Sequence, residues 1–250
     1  MFYKVKGTIG VSILSGMLAL PGVCFAHASF VPKDNLDGFS ARDYEEGKTA
    51  YLKINIPHGC SSRDGSRTFS TRNVVMTMPN GVDLSGLAYT QSRGGEIYNA
   101  NAVMGVKPAA DGSWRKIKNP KGPVADYYSH GLRSEDVGSL QWLRGNIPAD
   151  FYKVIEFRAG LPILDACISR LDIYFPTVQY CDQRTIKAWM RAPVGNLPAD
   201  VVSTGYAPKI TVVRNEEKNP LPAECPAEGE AAEVYPSEAD IEASLLRRYY

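Results

Sequence analysis

Apolar and polar residues alternate in several short segments, and this period of two restricts the fold more than any other feature of the sequence. In AYLKINI (residues 50–56), Leu52 and Ile54 fall on one face of an extended chain and Lys53 on the other. The segments VVMTM, RLDIYF and KITVV repeat the pattern, and Pro or Gly follows most of them. Such alternation is typical of half-buried strands. Many short strands bounded by Pro and Gly predict an all-β fold of the β-sandwich type.

The composition changes after residue 213. Residues 214–236 are rich in Glu, Pro and Ala, which is typical of a flexible linker. We therefore expect a β-sandwich domain over residues 27–213, followed by a flexible C-terminal tail. The polar, glycine-containing segment 83–102 is expected to be an insertion in this domain.

The tail ends in SEADIEASLLRRYY (residues 237–250), which predicts a short helix. Ser237 and Asp240 are spaced as a capping box at its start. Ile241 and Leu245 give the helix a narrow apolar stripe. The stripe can pack on the sandwich, bind a partner or stay exposed, and the sequence leaves these alternatives open.

Residues 1–26 have the layout of a secretory signal peptide. Lys4 and Lys6 precede an apolar stretch that is short for a membrane span, and small residues up to Ala26 fit a cleavage site. We predict cleavage after Ala26, which makes His27 the first residue of the mature chain. The product is expected to be periplasmic or secreted, with no membrane span after cleavage.

The predicted mature chain is nearly neutral. The full sequence has 28 basic and 27 acidic side chains, and Lys4 and Lys6 leave with the signal segment. An even charge balance gives no attraction to polyanions, so we expect no nucleic-acid partner.

Four cysteines remain after cleavage. An even number of cysteines in an exported chain favours disulfides, and no pair has the close spacing of a CxxC redox or zinc motif. Four cysteines permit three pairings, and their spacing does not choose among them. The four are Cys60, Cys167, Cys181 and Cys225.

Known catalytic motifs are absent from the sequence. It contains no G-x-S-x-G nucleophile elbow, no phosphate-binding loop and no dinucleotide fingerprint. Paired acidic residues such as Glu45 and Glu46 are more typical of a solvated surface than of a catalytic pair. We therefore expect a protein that is not an enzyme.

An N-terminal histidine is a candidate metal ligand. The α-amine and the ring Nδ1 of His27 would close a chelate on one ion. Amine and imidazole groups titrate at about pH 7.8 and 6.5, so both release protons to a metal near neutral pH. Nitrogen donors suit copper, which has the highest affinity of the divalent ions in its row. The alternative is that cleavage merely leaves His27 at the terminus.

Eight segments between His27 and about residue 213 contain all three histidines and all three tryptophans of the chain. The segments are AHASF, YLKINIPHGC, TRNVVMTMPNGV, GVKPAADGSW, YYSHGL, LQWLRGNIPADFYKVIEFRAGLP, YFPTVQYC and AWMRAP. In this order they resemble the YcnI-like family of exported copper-binding domains.

The resemblance implies an immunoglobulin-like or cupredoxin-like β-sandwich that binds Cu(II) through its N-terminal histidine, here His27. It also implies a tryptophan close to the metal, which is Trp142 in the segment W-x-x-G-x-x-P. In described members a glutamate completes the site, after the valine-proline that ends the first long strand. This chain departs from that pattern, because Ile56-Pro57 is followed by His58 and no acid.

The HGC segment resembles a second branch of the family, and that resemblance implies a Cys60–Cys181 disulfide. Cys167 and Cys225 lie outside the family's pattern, and we expect them to form a second pair that holds the tail.

Further copper ligands remain open. His58 is a candidate, with the alternative that it forms a hydrogen bond with the turn beside the disulfide. His130 is another, although a histidine before glycine at a strand turn is commonly structural. A carboxylate from the stretch after the first strand is a third source, with Asp34, Asp37 and Asp43 as the choices.

The expected function is that of a periplasmic or exported Cu(II)-binding protein. It would act as a copper chaperone or as a factor for copper acquisition or tolerance. Its expected partner is an unidentified copper-handling membrane or periplasmic protein. Two alternatives stand beside this interpretation. One is an extracytoplasmic interaction module in which metal binding is incidental. The other is a copper monooxygenase-like enzyme, which also uses an N-terminal histidine on a β-sandwich, but nothing else in this chain resembles such enzymes.

Overall fold

The computed structural model describes residues 27–32, 43–62, 64–165, 167–182, 185–191 and 205–246. Within these ranges the chain forms 21 β-strands and one α-helix. The predicted signal segment lies outside the described residues, as do Asp34 and Asp37.

The strands and the helix are numbered in chain order. The first eleven are β1 (Ser29–Phe30), β2 (Asp43–Glu45), β3 (Thr49–Ile56), β4 (Cys60–Ser61), β5 (Thr68–Phe69), β6 (Thr71–Thr77), β7 (Ala88–Gln91), β8 (Ile97–Asn99), β9 (Met104–Pro108), β10 (Trp114–Lys118) and β11 (Lys121–Tyr128). The others are β12 (Leu132–Val137), β13 (Ser139–Gly145), β14 (Lys153–Gly160), β15 (Ile163–Leu164), β16 (Ile168–Tyr174), β17 (Thr177–Cys181), β18 (Ile186–Arg191), β19 (Gly205–Tyr206), β20 (Lys209–Val213), β21 (Glu230–Val234) and α1 (Glu238–Ser244).

Pairing between the described strands gives four larger sheets and one small hairpin. Sheet A has the order β1-β3-β14-β9, and sheet B has the order β10-β13-β6-β17-β18-β19. Sheet C has the order β12-β11-β8-β7-β15, and sheet D has the order β2-β20-β16-β21. Strands β4 and β5 form the hairpin. Most neighbours in sheets A, B and D are distant in sequence, so the chain crosses repeatedly between sheets.

The alternating segment at residues 50–56 lies in β3, inside sheet A. Leu52 and Ile54 are fully buried, whereas Tyr51 on the opposite face is exposed. Strand β3 pairs antiparallel with β14 along its whole length. Because side chains alternate across a strand, this register decides which face of both strands enters the core.

One hydrophobic core receives side chains from sheets A, B and D. Phe30 of β1, Phe157 of β14 and Phe175 after β16 meet in edge-on or tilted contacts, with ring centroids 5.2 to 6.3 Å apart. Trp142 and Trp189 enter the same core from sheet B and are almost completely buried. Sheets that pack their apolar faces on a shared core form a β-sandwich. The prediction of an all-β sandwich is therefore confirmed.

The helix α1 covers the outer face of sheet B. Ser237 and Asp240 form the predicted capping box, in which each side chain accepts a hydrogen bond from the other residue's backbone N–H. Ile241 is fully buried in a second apolar cluster with side chains of β6, β17 and β18, and Leu245 and Leu246 pack against this cluster. Of the alternatives left open for the apolar stripe, packing on the sandwich is the one that the chain adopts.

The prediction of a flexible linker over residues 214–236 is wrong for its second half. Strand β21 pairs parallel with β16 and forms an edge of sheet D. The composition indicated disorder, but this pairing and a disulfide from Cys225 to Cys167 attach the segment to the sandwich. The sandwich therefore includes residues beyond 213.

Two disulfides join distant parts of the chain. Cys60 is bonded to Cys181 across 121 residues of sequence, and Cys167 is bonded to Cys225 across 58 residues. Both expected pairings are confirmed. Structural disulfides are typical of proteins that fold outside the reducing cytoplasm. Among the described residues, no helix has the length and apolar character needed to cross a membrane.

Replacement of Ile241 by alanine tests the packing of α1. The substitution leaves a cavity between the helix and sheet B, so we expect the free energy of unfolding to fall by about 2–4 kcal/mol. Urea denaturation of the chain measures this loss. Glu242→Ala, at an exposed position of the same helix, is the control and should change stability by less than about 0.5 kcal/mol. Equal stability of Ile241→Ala and the parent chain would contradict the packing role.

Candidate functional site

His27 lies two residues before β1, an edge strand of sheet A. Its side chain is exposed, whereas Ala28 and Phe30 are buried and anchor the strand. Strand β1 pairs antiparallel with β3, with Ser29 opposite Asn55. The backbone next to His27 is therefore fixed by the sandwich, while its imidazole remains accessible to solvent.

The imidazole of His27 lies against Gly205 in β19. A Cβ atom at position 205 would lie 2.6 Å from Nδ1 of His27 and 2.9 Å from Cδ1 of Trp189. Separations this short are not tolerated between atoms that are not bonded, so only glycine leaves room for both rings. Because one point lies close to both side chains, the imidazole and the indole are neighbours. Strand pairing explains the contact, since Gly205 is opposite Trp189 of β18.

Trp142, the tryptophan expected beside the metal, lies elsewhere in sheet B. It is fully buried in β13, opposite Val74 of β6 and Ile117 of β10. Strands β6 and β17 separate β13 from β18, which corresponds to about 14 Å at the usual strand spacing. Trp142 packs in the core, and Trp189 is the tryptophan that meets His27.

His58 lies in the turn between β3 and the Cys60–Cys181 disulfide. Its Nδ1 is 2.5 Å from the carbonyl oxygen of Gly59, and its own carbonyl oxygen accepts a 2.6 Å hydrogen bond from Nε2 of Gln179. With a proton on Nδ1, the imidazole donates to Gly59 and keeps the lone pair of Nε2 for a ligand. The hydrogen bond with the turn, which was the alternative for His58, is present and is compatible with ligation by Nε2.

The register of β1 sets His27 and the His58 turn toward the same end of sheet A. Ser29 is opposite Asn55 in the antiparallel pairing of β1 with β3. His27 comes two residues before Ser29, and His58 comes three residues after Asn55. The residues before β1 and the turn after β3 therefore lie toward one end of sheet A.

Two polar side chains of sheet B adjoin the turn, since Gln179 binds the carbonyl of His58 and Lys187 is its neighbour. Gln179 of β17 is opposite Lys187 of β18, and Lys187 shares a sheet face with Trp189 two residues later. Burial disfavours the ammonium form and lowers the pKa of Lys187. Within the described residues, Oε1 of Gln179 is buried without a hydrogen-bond partner. Neither residue was selected from the sequence. A polar residue on the inward face of a strand is nevertheless a signal that the sequence contains.

His130 lies at the opposite end of sheet A. It occupies the turn between β11 and β12 with a φ of 56°, and its exposed side chain lines a cleft together with Thr49, the first residue of β3. The two ends of β3 are about 24 Å apart, given eight residues in an extended strand. His130 is therefore separated from His27 and His58 by the length of the sheet, and the three histidines do not form one site.

The carboxylates that the structure describes do not complete a group of ligands around His27 either. Asp43 begins β2 in sheet D, opposite Thr211. In the part of the chain that the structure describes, no group of three or more His, Cys, Asp or Glu side chains is arranged to hold a metal ion. A metal site at His27 built from the described residues would therefore need a donor besides side chains, such as a backbone amine.

Comparisons with known proteins do not assign the chain to a family. No protein-family model matches it, and no curated protein matches it. Among solved structures, the chain is similar to a protein from Nocardia farcinica, described as uncharacterized and as having an immunoglobulin-like fold. The two are 16% identical with a TM-score of 0.42, over 75% of this chain and 98% of that chain. So distant a likeness supports no statement about function.

Substitution of Gly205 by alanine tests the contact between His27 and Trp189. The added methyl group displaces the imidazole from the indole, so we expect the ring-current shift of the His27 imidazole protons to disappear. Nuclear magnetic resonance of the histidine ring protons measures it. Gly112→Ala is the matched control, because a Cβ at position 112 meets no atom within 4 Å. An unchanged His27 spectrum in Gly205→Ala would show that the rings are not neighbours.

Proposed function

We propose that the chain is an exported Cu(II)-binding protein whose metal site is completed by cleavage before His27. The observation that carries the proposal is the position of His27, whose exposed ring lies beside Trp189 and directly before a paired strand, at the end of sheet A that also holds the His58 turn. The resemblance of eight sequence segments to the YcnI-like family supports copper as the metal.

The donors at this end of sheet A fit copper. Cleavage after Ala26 gives His27 a free α-amine, which closes a chelate with Nδ1 of the ring. Nε2 of His58 provides a third nitrogen. Neutral nitrogen donors suit Cu(II), which binds them more strongly than the other divalent ions of its row. Gly205 leaves room for Nδ1, because a Cβ at that position would lie 2.6 Å from this nitrogen.

A small number of donors suits a protein that hands its ion on. A closed four-ligand cage holds its ion for structure, whereas an incompletely filled coordination sphere leaves a position for an incoming ligand. Here copper is the cargo, and the open position admits a ligand from the protein that receives or supplies the ion. We propose a copper-handling membrane or periplasmic protein as this partner. The two disulfides agree with a location in an oxidising compartment.

The state of the N-terminus is the first test of this function. Cu(II) is titrated into the chain that begins at His27 and into the same chain with one additional glycine before His27. The extension converts the α-amine into an amide, so we expect at least tenfold weaker binding. His27→Ala should weaken binding similarly while leaving the unfolding midpoint unchanged. His130→Ala, at the far end of sheet A, is the control and should bind as the parent does.

Electron paramagnetic resonance of the same samples identifies the donors. We expect nitrogen couplings in the authentic chain and the loss of one nitrogen in His58→Ala. Equal affinity of the authentic and the extended chain would contradict the proposal, and the interaction-module alternative would then be preferred.

Tryptophan fluorescence tests the position of copper. Quenching by a bound Cu(II) ion falls steeply with distance, so we expect the ion at His27 to quench Trp189 more than Trp142. Trp142→Phe should keep most of the copper-dependent quenching, and Trp189→Phe should lose most of it. Circular dichroism confirms that both variants are folded, since both indoles are buried. The reverse order of quenching would place the ion near β13 and not near β18.

A further inference from the structure

Two adjoining clefts lie at the end of sheet A that is remote from His27. They have volumes of about 580 and 530 Å³, within the usual range for small-ligand sites. Strands β9 and β14 of sheet A form one side of the larger cleft, and β11 and β12 of sheet C form the other. The two clefts share the residues Thr49, Met104, Ser129, His130 and Gly160.

Two cations face each other across strands in the wall of the larger cleft. Lys107 of β9 is directly opposite Arg158 of β14. Like charges at such a position repel and destabilise a sheet. The neighbouring row of the same face has the complementary arrangement, since Lys53 is opposite Glu156 and their charged atoms are 3.9 Å apart. The sheet therefore balances its charges in one row and leaves them unbalanced in the row that lines the cleft.

Sheet C adds two further cations to the same cleft. Lys121 of β11 and Arg133 of β12 line it together with Lys107 and Arg158. Among the described residues, none of these four side chains has a carboxylate within 4 Å of its charged nitrogens. Charges of one sign that line a concave surface reinforce one another's potential.

The acidic groups of the cleft do not neutralise this charge. Asp136 is buried and accepts hydrogen bonds from the Tyr127 hydroxyl (2.8 Å) and from the backbone N–H of Gly105 (3.0 Å). Burial and the Asp136 carboxylate both raise the pKa of Tyr127, so its phenol stays protonated as a donor to Asp136. Glu135 is exposed and is the other carboxylate of the lining. Four cations thus face two carboxylates, and one of these, Asp136, is already engaged by hydrogen bonds.

We propose that this cleft binds a small multivalent oxyanion, with carboxylate or phosphate groups held between Arg158, Lys107 and the cations of sheet C. A guanidinium group forms paired hydrogen bonds with carboxylate or phosphate oxygens, and an ammonium group adds a point charge. The bound anion relieves the repulsion between Lys107 and Arg158. The proposal is independent of copper binding, because it depends on the opposite end of sheet A.

Calorimetric titration of the copper-free exported chain tests the proposal. Inorganic phosphate and citrate are the two probes, each compared with sodium chloride at the same ionic strength, and their relative affinities distinguish phosphate from carboxylate recognition. We expect saturable binding at one site, at least tenfold weaker in Arg158→Gln and in Lys107→Gln. Lys53→Gln is the matched control, because it removes one cation from the same sheet face but from the balanced row. It should bind as the parent does.

Thermal unfolding provides a second measurement. In the parent chain the anion should raise the melting temperature, as a ligand of the folded state does. Arg158→Gln should lose this shift without a lower melting temperature in the absence of anion, because the substitution removes a repulsion. Two results would overturn the proposal: no saturable binding by the parent, or the same loss of affinity in Lys53→Gln as in Arg158→Gln. The second result would indicate a diffuse effect of surface charge.

Discussion

The antiparallel pairing of β3 with β14 is the interaction on which the rest of the structure depends. It runs over eight residue pairs, from Thr49 opposite Gly160 to Ile56 opposite Lys153. A slip of one residue would turn Leu52 and Ile54 out of the core, so the hydrophobic effect fixes the register. This pair also carries β1 on one side and β9 on the other. One end of this pair therefore sets the position of His27 and His58, and the other end sets the position of the cleft lined by Lys107 and Arg158.

Strands with an apolar face could be predicted from the sequence, and strands without one could not. The alternating segments correspond to β3, β6, β16 and β20, whose inward residues fill the core. Most of sheet C lacks this signal: the first four residues of β12 are all exposed, and residues 83–102, which read as a polar insertion, contain β7 and β8. Strand β21 was missed because its parallel pairing with β16 is a tertiary contact that composition does not encode.

The candidate site, like the strands, could be predicted from the sequence only in part. His27 could be selected from local sequence, because the predicted cleavage site directly precedes it, and His58 could be selected from the turn after the first long strand. The neighbours of His27 could not be selected from local sequence. Trp189 reaches it because β18 and β19 are adjacent in sheet B. Trp142 was chosen by resemblance of its local segment, but the order of strands within the sheet, and not the segment, decides which indole meets the imidazole.

The distance between the two proposed sites keeps their opposite charge requirements from interfering with each other. A cleft with four cations beside His27 would repel Cu(II), and a copper ion beside the cleft would compete with its lysines and arginines for the anion. The length of β3 places the two ends about 24 Å apart, which is about three Debye lengths at physiological ionic strength. At that distance solvent and salt screen most of the interaction between exposed charges. One pair of strands thus gives a single sandwich room for both proposed sites, with nitrogen donors at one end and a cluster of cations at the other.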